Sequence, residues 1–303
     1  MIPADLARAS EPVTRGRIAE DLAALGVEPG MTLLVHTSLS ALGWVIGGEQ
    51  AVIDALLDAV GEDGTVVMPT QSWQLCDPAY LNAPEVPRAW WPVIRDHLPI
   101  YDPARTPTRT MGVVAELFRT LPETTRSGHP HRSFAAAGRQ AARITQVHDL
   151  DSPVGERSPL RALYDLGAHT LLIGVGHDKS TALHLAEHRS AYPGKHAVRN
   201  GAALLVDGAR RWVAWSELWV AEDDFEDLAA DFAAQTAQIR VGTVGHARAQ
   251  LVAQRPMIDF ATDWFEQHRT AERFAHDTTA WPAADGAYPA SSTPRGALRR
   301  SGV

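Results

Sequence analysis

Short apolar runs on either side of an amphipathic helical pattern constrain the fold of this chain more than any other feature. The run MTLLVHTS ends at residue 38, and the run TVVMPT spans residues 65–70. Between them, GGEQAVIDALLDAVGEDG places Val52, Ile53 and Leu56 at helical spacing. Two buried strands joined by a helix predict a right-handed βαβ unit in a parallel or mixed sheet.

The rest of the chain extends this alternation. A helix ending at Gly26 precedes the unit, HTLLIGVG at residues 169–176 predicts a third buried strand, and MGVVAELFRTL and DDFEDLAADFAAQ predict helices. Residues 180–191 predict another helix with Ser180 or Thr181 as its N-cap. The Asp207-Gly208 pair between alternating runs predicts a hairpin.

The predicted fold is α/β, with a central mixed or parallel sheet, flanking helices and a hairpin insertion. Residues 73–108 are rich in proline and aromatic residues, and they predict an ordered irregular segment that lines a cleft. Neither an internal repeat nor a linker is visible, so we expect residues 1–274 to form a single domain. Residues 275–303 lack apolar periodicity, and we expect a tail that is poorly ordered or lies along the surface.

Composition excludes several classes of protein. The net charge of −8 and the absence of any Lys/Arg-rich block exclude nucleic acids and anionic membranes as expected partners. The single cysteine, Cys76, excludes an internal disulfide and a CxxC metal site. Without a long apolar run, we expect neither a signal peptide nor a membrane span, and therefore a cytoplasmic protein.

The stretch LLIGVGHDKSTALHLAEHRSAYPGKH contains four histidines, and three interpretations compete for them. They could contribute to a metal site, although the spacing is not HExxH. They could be ordinary surface or core histidines, which is the default for His188 and His196. His184 could instead be a general base oriented by Glu187, three residues further along the same helix face. His177, at the end of a strand, lies where ligand sites form in α/β sheets.

Nucleophilic catalysis and nucleotide binding have weaker support. No G-x-S-x-G elbow is present, and Cys76 has no nearby histidine in the sequence. Ser38 follows a strand, so it could be a nucleophile or part of a loop that holds a cofactor. The segment GWVIGGEQ matches neither G-x-G-x-x-G nor a Walker A loop.

Five segments, taken in order, carry a resemblance to a known family. They are VHTSLSALGWVIGGEQAVIDALLDAVGEDGTVVMPTQSW, DPARTPTRTMGVVAELFRT, SGHPHRSFAAAG, GERSPLRALYDLGAHTLLIGVGHDKSTALHLAEHR and EDDFEDL. Together they resemble the aminoglycoside 3-N-acetyltransferases, the antibiotic N-acetyltransferase family, over roughly residues 14–270.

The resemblance implies a fold distinct from the common small N-acetyltransferase fold, acetyl-CoA as donor and no metal. It implies that His184 is the base and Glu187 its neighbour, with direct transfer to the 3-amino group of an aminoglycoside in a ternary complex. Backbone N–H groups near Met111-Gly112 or the Thr181 hydroxyl would stabilise the oxyanion. It also implies that two segments hold the pantetheine arm and CoA phosphates; their residues are His36, Thr37, Ser38, Leu39, Ser40, Thr110, Met111, Gly112 and Val113.

A polycationic acceptor requires carboxylates and other polar groups. We predict that the acceptor is bound by Asp77, Tyr80, His177, Asp178, Glu222 and Asp223. The acidic run at 222–227 could equally be a solvated helix start, where acidic residues are favoured by the helix dipole. Net negative charge would steer a cationic substrate towards the protein.

Alternatives remain open at this point. The acceptor could be a different amine, because Lys179 and Ala182 depart from the residues expected in well-known resistance enzymes. The chain could be a metal- or histidine-dependent hydrolase using the same site. It could also bind CoA or aminoglycosides without turnover. Either a monomer or a homodimer is compatible with the sequence.

Overall fold

The computed structural model describes residues 11–81 and 86–271; the predicted tail at 275–303, and with it the domain boundary at 274, lies outside the described residues. The strands are β1 Thr32–Thr37, β2 Thr65–Pro69, β3 Thr125–Arg126, β4 Phe134–Gly138, β5 His169–Ile173, β6 Ala197–Val206, β7 Ala209–Leu218, β8 Ile239–Val244 and β9 Ala247–Ala253. The helices are α1 Arg15–Leu25, α2 Gly48–Val60, α3 Trp91–His97, α4 Gly112–Phe118, α5 Ala141–Thr145, α6 Pro159–Asp165, α7 His184–Arg189, α8 Phe225–Thr236 and α9 Gln254–His268.

The central sheet is mixed, as the sequence predicted. Its strand order is β3-β4-β2-β1-β5-β9-β8. Strands β2 and β5 flank β1 in parallel, with Leu34 opposite Val67 on one side and His36 opposite Leu172 on the other. Strands β4 and β9 extend this parallel centre with antiparallel pairs. The predicted βαβ unit, β1-α2-β2, therefore forms the middle of the sheet.

The sheet is covered on both faces, so its central strands are apolar on both sides. Successive residues of β1 alternate between two cores: Leu33 and Val35 pack with α1, α2 and α4, whereas Leu34 packs with α5 to α9. This arrangement explains why MTLLVHTS is a continuous apolar run rather than an alternating one. Within the described ranges, no helix is both long and apolar enough to span a bilayer.

The hairpin insertion is confirmed as a separate two-stranded sheet of β6 and β7. Asp207 and Gly208 join the strands with φ angles of 50° and 76°, the left-handed geometry of a tight two-residue turn. The histidine-rich helix begins with a 3₁₀ turn at Thr181–Leu183, and Ser180 is the N-cap residue of that turn, although its side chain accepts no cap hydrogen bond. The α-helix α7 itself begins later, with Leu183 at its N-cap position, so neither Ser180 nor Thr181 caps it.

The parallel strands determine where a site can form. Strands β1 and β5 end at the same edge of the sheet, and each continues into a 3₁₀ turn, Leu39–Leu42 and His177–Lys179. Strand β2 ends beside them at Pro69, before the irregular segment. Ligands bind outside the carboxyl ends of such strands in open α/β sheets.

Candidate active site

A cavity of about 1280 Å³ opens at this edge of the sheet. Its volume exceeds the usual range of roughly 300–1,000 Å³ for a pocket that holds one small ligand. All nine residues predicted to contact CoA line it: His36, Thr37, Ser38, Leu39, Ser40, Thr110, Met111, Gly112 and Val113. The structure therefore brings together two segments that are 70 residues apart in the chain.

The turn into α4 lies beside the end of β1. Thr110 has a φ of 63° and Gly112 a φ of 81°, so the chain bends sharply before the helix. A Cβ atom at Gly112 would lie 3.9 Å from the Thr37 carbonyl oxygen. At the same wall, the Thr37 hydroxyl and His36 Nε2 are buried and make no hydrogen bond. Buried polar atoms without a hydrogen-bond partner are uncommon in folded proteins, and this wall of the cavity has two.

Ser38, the candidate nucleophile, lies in the same loop. Its backbone N–H donates to the Ile173 carbonyl at 2.9 Å, which fixes the loop to the end of β5. Its hydroxyl lies 3.1 Å from the Ser40 hydroxyl rather than beside an imidazole. The described geometry therefore lacks the serine–histidine hydrogen bond that activates a catalytic serine.

His184 and Glu187 form a hydrogen-bonded pair at the wall of the cavity. His184 Nδ1 lies 2.5 Å from Glu187 Oε2. His184 lines the cavity at the start of α7, and its ring packs on Phe225 with centroids 5.2 Å apart. Glu187, one turn later, is fully buried and does not line the cavity. The predicted i,i+3 pairing is thus present, with only the histidine exposed to a ligand.

Glu187 belongs to a larger buried network. Besides His184, its carboxylate accepts hydrogen bonds from the backbone N–H of Ala221 at 3.0 Å and from Arg269 Nη1 at 2.5 Å. Burial alone would raise the pKa of Glu187, but the hydrogen bond from His184, the charges of His184 and Arg269, and the Ala221 N–H together lower it. The carboxylate is therefore ionised beside the imidazole.

Two other histidines that were predicted to bind ligands, His36 and His177, are buried. His36 lines the cavity, and its pKa falls to about 3 because of burial and then the neighbouring His184 and His177. His177 is 2% exposed, outside the cavity lining, and burial lowers its pKa. Both rings are consequently neutral at pH 7. The structure does not bring His177 to the cavity surface as the acceptor prediction requires.

The part of the cavity wall that was predicted to bind the acceptor combines acidic and basic groups. The lining includes Tyr80, Asp178, Glu222 and Asp223, four of the six residues predicted to bind the acceptor. Lys179 Nζ lies 2.8 Å from Asp178 Oδ2 and also lines the cavity. Carboxylates and one lysine therefore share this end.

Arg132 is a lining residue that the sequence reasoning did not identify. Its Nη2 donates to the Tyr80 hydroxyl at 2.8 Å, and its guanidinium lies 4.7 Å from the centroid of the Trp73 ring. The Glu217 carboxylate is its counter-charge, with Oε1 4.0 Å from Arg132 Nε. The predicted irregular segment thus contributes Trp73 and Tyr80 to the cavity, as expected.

Asp77 has a different position from the one its predicted role requires. It lies outside the cavity lining, and Arg95 binds its two carboxylate oxygens at 2.9 Å each. The backbone N–H of Ala79 also donates to it at 2.9 Å. These contacts indicate a structural role for Asp77, which joins the irregular segment to α3.

His188 and His196 have the ordinary surroundings that the sequence favoured, and neither lines the cavity. Burial lowers the pKa of His188 to about 4, whereas His196 Nδ1 bonds to the Gly194 carbonyl at 2.7 Å. Across residues 11–81 and 86–271, no group of three or more His, Cys, Asp and Glu side chains is arranged to hold a metal ion.

The fold is that of solved aminoglycoside acetyltransferases. The YokD protein from Bacillus subtilis superimposes with a TM-score of 0.83 at 43% identity, covering 86% of this chain and 96% of that one. A structure of AAC-IIIb with CoASH has a TM-score of 0.75 at 34% identity, covering 86% and 98%. A structure of AAC-VIa bound to sisomicin has a TM-score of 0.76 at 31% identity, covering 86% and 99%.

Sequence comparison gives the same result. The SPbeta prophage-derived aminoglycoside N(3')-acetyltransferase-like protein YokD of Bacillus subtilis is 45% identical over 255 residues, covering 84% of this chain and 93% of the relative. Aminoglycoside N(3)-acetyltransferase VII of Streptomyces paromomycinus is 38% identical over 286 residues, covering 88% and 96%. Residues 34–266 match the family described as aminoglycoside 3-N-acetyltransferase. This chain is an acyltransferase, and it belongs to the aminoglycoside 3-N-acetyltransferase family.

Proposed function

We propose that this chain transfers the acetyl group of acetyl-CoA to the 3-amino group of an aminoglycoside, with His184 as general base, and so confers resistance. The observation that carries the proposal is the 2.5 Å hydrogen bond between His184 Nδ1 and the buried Glu187 carboxylate at the wall of a cavity that exceeds the usual one-ligand range. A neutral imidazole held in this way has one nitrogen bonded to the carboxylate and the other available to accept a proton.

The proton transfer follows from the chemistry of the acceptor. An aminoglycoside amine is mostly ammonium at neutral pH, so it has no lone pair with which to attack a thioester. The ammonium first loses one proton to solvent. His184 removes a second proton as the neutral amine attacks the acetyl carbonyl, and Glu187 stabilises the imidazolium that forms. The C–S bond then breaks, and the CoA thiolate leaves with the electron pair and takes the proton from His184.

Developing negative charge on the acetyl oxygen requires hydrogen-bond donors. The Thr181 hydroxyl and the backbone N–H groups at Met111 and Gly112 belong to residues that line the cavity. Donors held in place before the reaction stabilise an oxyanion without reorganisation. We assign this role to one or both of these groups.

Acetyl-CoA fits the side of the cavity formed by residues 36–40 and 110–113. The Thr37 hydroxyl and His36 Nε2 are buried at this wall without a hydrogen-bond partner in the protein, which supports a polar ligand there, and the sharp turn at Thr110–Gly112 leads into α4 at the same wall. A structural neighbour binds CoASH. With donor and acceptor bound together, direct transfer in a ternary complex requires no acyl-enzyme.

The acceptor lies against Asp178, Glu222 and Asp223, where carboxylates attract its ammonium groups. A structural neighbour binds sisomicin. One observation supports a second candidate, an amine less cationic than an aminoglycoside. Arg132 and Lys179 both line the cavity, so a polycation would meet two positive charges as well as the carboxylates.

The experiment is free-thiol release from acetyl-CoA with gentamicin, tobramycin, kanamycin and neomycin, compared with simple monoamines. Release that depends on an aminoglycoside, with the product acetylated at N3 by NMR, is the expected result. Release only with other amines would support the second candidate. Bound acetyl-CoA with no turnover on any amine would contradict catalysis and indicate a binding protein.

A further inference from the structure

Arg269, one residue beyond the end of α9, lies between two buried carboxylates. Its Nη1 donates to Glu187 Oε1 at 2.5 Å, while Nε and Nη2 donate to the two oxygens of Asp224 at 2.9 and 2.8 Å. The side chain of Arg269 is fully buried. Its guanidinium lies 3.8 Å from the centroid of the Phe265 ring and 4.7 Å from that of Tyr192. The guanidinium is therefore fixed in position by both charge and packing.

The same arginine binds the loop that carries the acceptor-side acids. Arg269 Nη2 donates to the Ala221 carbonyl at 2.9 Å, and the Ala221 N–H donates to Glu187 at 3.0 Å. Residues 219–223 all line the cavity, and Asp224 follows them directly. A single network thus connects the carboxylate behind His184 with the backbone of the loop that presents Glu222 and Asp223.

The charges of this network lie directly behind His184, through Glu187. Glu187 and Asp224 carry two negative charges and Arg269 one positive charge, so the three groups leave one net negative charge behind the imidazole. Charges in a buried site are poorly screened, and a negative charge close to an imidazole favours its protonated form. A second negative charge would make His184 a stronger base, whereas a neutral network would make it a weaker one.

We propose that Arg269 is a positioning residue that sets the proton affinity of His184 through Glu187 and fixes the 219–224 loop for the acceptor. The inference rests on the proposed function, in which His184 is the base. Asp224 has the complementary role, because its carboxylate binds the Arg269 guanidinium and balances the positive charge of that group.

Other titratable and charged groups surround the pair from the neighbouring elements. They are His36 at the end of β1, Arg132 before β4, His177, Asp178 and Lys179 after β5, His188 on α7, Tyr192 and Lys195 beyond α7, Glu266 on α9, and Glu222 and Asp223 before α8. None of them changes in the variants below, so differences between the variants report the Arg269 network alone.

The test uses Asp224→Asn, Arg269→Lys, Arg269→Met and the double variant of Asp224→Asn with Arg269→Met. Each is titrated by ¹³C NMR of histidine labelled at Cε1, with the His184 signal assigned by its loss in His184→Gln. The pH dependence of kcat/KM is measured for the acceptor and for acetyl-CoA. Asp263→Asn, which removes an exposed carboxylate of α9, is the matched control.

Opposite shifts are expected from the two kinds of charge change. Asp224→Asn lowers the pKa of His184 and Arg269→Met raises it, each by about one unit. The double variant restores the net charge and brings the pKa back towards the wild-type value. Arg269→Lys keeps the charge and leaves the pKa in place, but it loses the forked contact to Asp224. Its acceptor KM rises by roughly fivefold while the KM for acetyl-CoA is unchanged.

A purely structural role would give a different pattern. Losses of activity in all variants, with His184 shifts absent or of the same sign in Asp224→Asn and Arg269→Met, would overturn the inference. If Arg269→Met does not fold, Asp224→Asn and Arg269→Lys decide alone: no downward shift in the first, or equal KM changes for both substrates in the second, would overturn it. Opposite NMR shifts with an unmoved kinetic pH profile would instead overturn His184 as the base.

Discussion

Two groups of histidines in this protein have opposite environments. His184 faces the cavity and bonds to the ionised carboxylate of Glu187. His129, His131 and His148 form a buried cluster with Trp215, with ring centroids 4.8 Å apart for His129 and His148 and 5.2 Å for His131 and Trp215. Histidine content alone therefore does not identify a base; a carboxylate partner and access to a ligand do.

Burial and the kind of hydrogen-bond partner together explain the difference between the two groups of histidines. In the buried cluster each ring bonds to a backbone carbonyl: His129 to Leu150, His131 to Leu75, and His148 to Pro153. Burial is the largest cause of their lowered pKa values, about 3 for His131 and about 4 for His148. These rings stay neutral and act as packing groups, whereas the partner of His184 is a carboxylate.

The largest expected effect separates the two groups by activity. We expect His184→Gln to lower kcat by about 10²–10⁴-fold while the protein stays folded, because the amine then loses its general base. His148→Gln, matched in chemistry but at a residue outside the cavity lining, should leave kcat near the wild-type value. Steady-state thiol release and circular dichroism of both variants measure this. Near-normal turnover by folded His184→Gln would refute the base assignment.

The next largest effect is the pH dependence of stability that the buried histidine cluster should cause. A buried histidine with a lowered pKa stays neutral in the folded protein, while the unfolded chain takes up a proton below about pH 6.5. Stability therefore falls as the pH decreases from about 6.5 towards the folded pKa of about 4 for His148. His148 alone is therefore expected to lower the free energy of unfolding by about 2 kcal/mol at pH 5 relative to pH 7.5.

Urea unfolding of wild type and His148→Gln at both pH values measures that effect. The variant is less stable at pH 7.5 because it loses the contact of His148 Nδ1 with the Ser127 hydroxyl, 2.8 Å in the wild type. Its further loss between pH 7.5 and 5 should nevertheless be smaller than that of wild type. Equal losses in the two proteins would mean that His148 titrates normally and that the environments do not differ as described.

The smallest expected effect concerns the acidic groups near His184. Glu222→Gln and Asp223→Asn should each raise the KM for an aminoglycoside by about two- to fivefold, since exposed ion pairs contribute up to about 1 kcal/mol. The KM for acetyl-CoA should not change, and the acceptor KM should depend less on salt. Asp263→Asn provides the control. An unchanged acceptor KM in both variants would make the acidic run a solvated helix start.

Features with a local cause were predictable from the sequence. Helical geometry places His184 and Glu187 on one face, so their contact follows from spacing. The Asp207-Gly208 turn requires positive φ angles that these residues tolerate, so the hairpin was also visible. The resemblance then assigned the family and the two segments that meet at the cavity, although spacing alone could not have joined residues 36–40 to 110–113.

Features that depend on distant residues were not predictable. Strand β4 contains the short run FAAAG, which lacks β-branched residues and becomes a strand only by pairing with β2. The β8–β9 hairpin was missed because it extends the sheet at its edge rather than at its apolar centre. Asp77 is polar and near the cleft, but Arg95 binds it, a pairing that follows from the position of α3.

The sequence by itself determined the βαβ centre, the hairpin and the histidine–glutamate pair, because each arises from residues within a few positions of one another or from a continuous apolar pattern. Only the tertiary structure determined that Arg269, 82 residues from Glu187, joins that carboxylate to Asp224. A buried charge can take its partner from any part of the chain, and packing of α7, α8 and α9 decides which partner lies within hydrogen-bond distance.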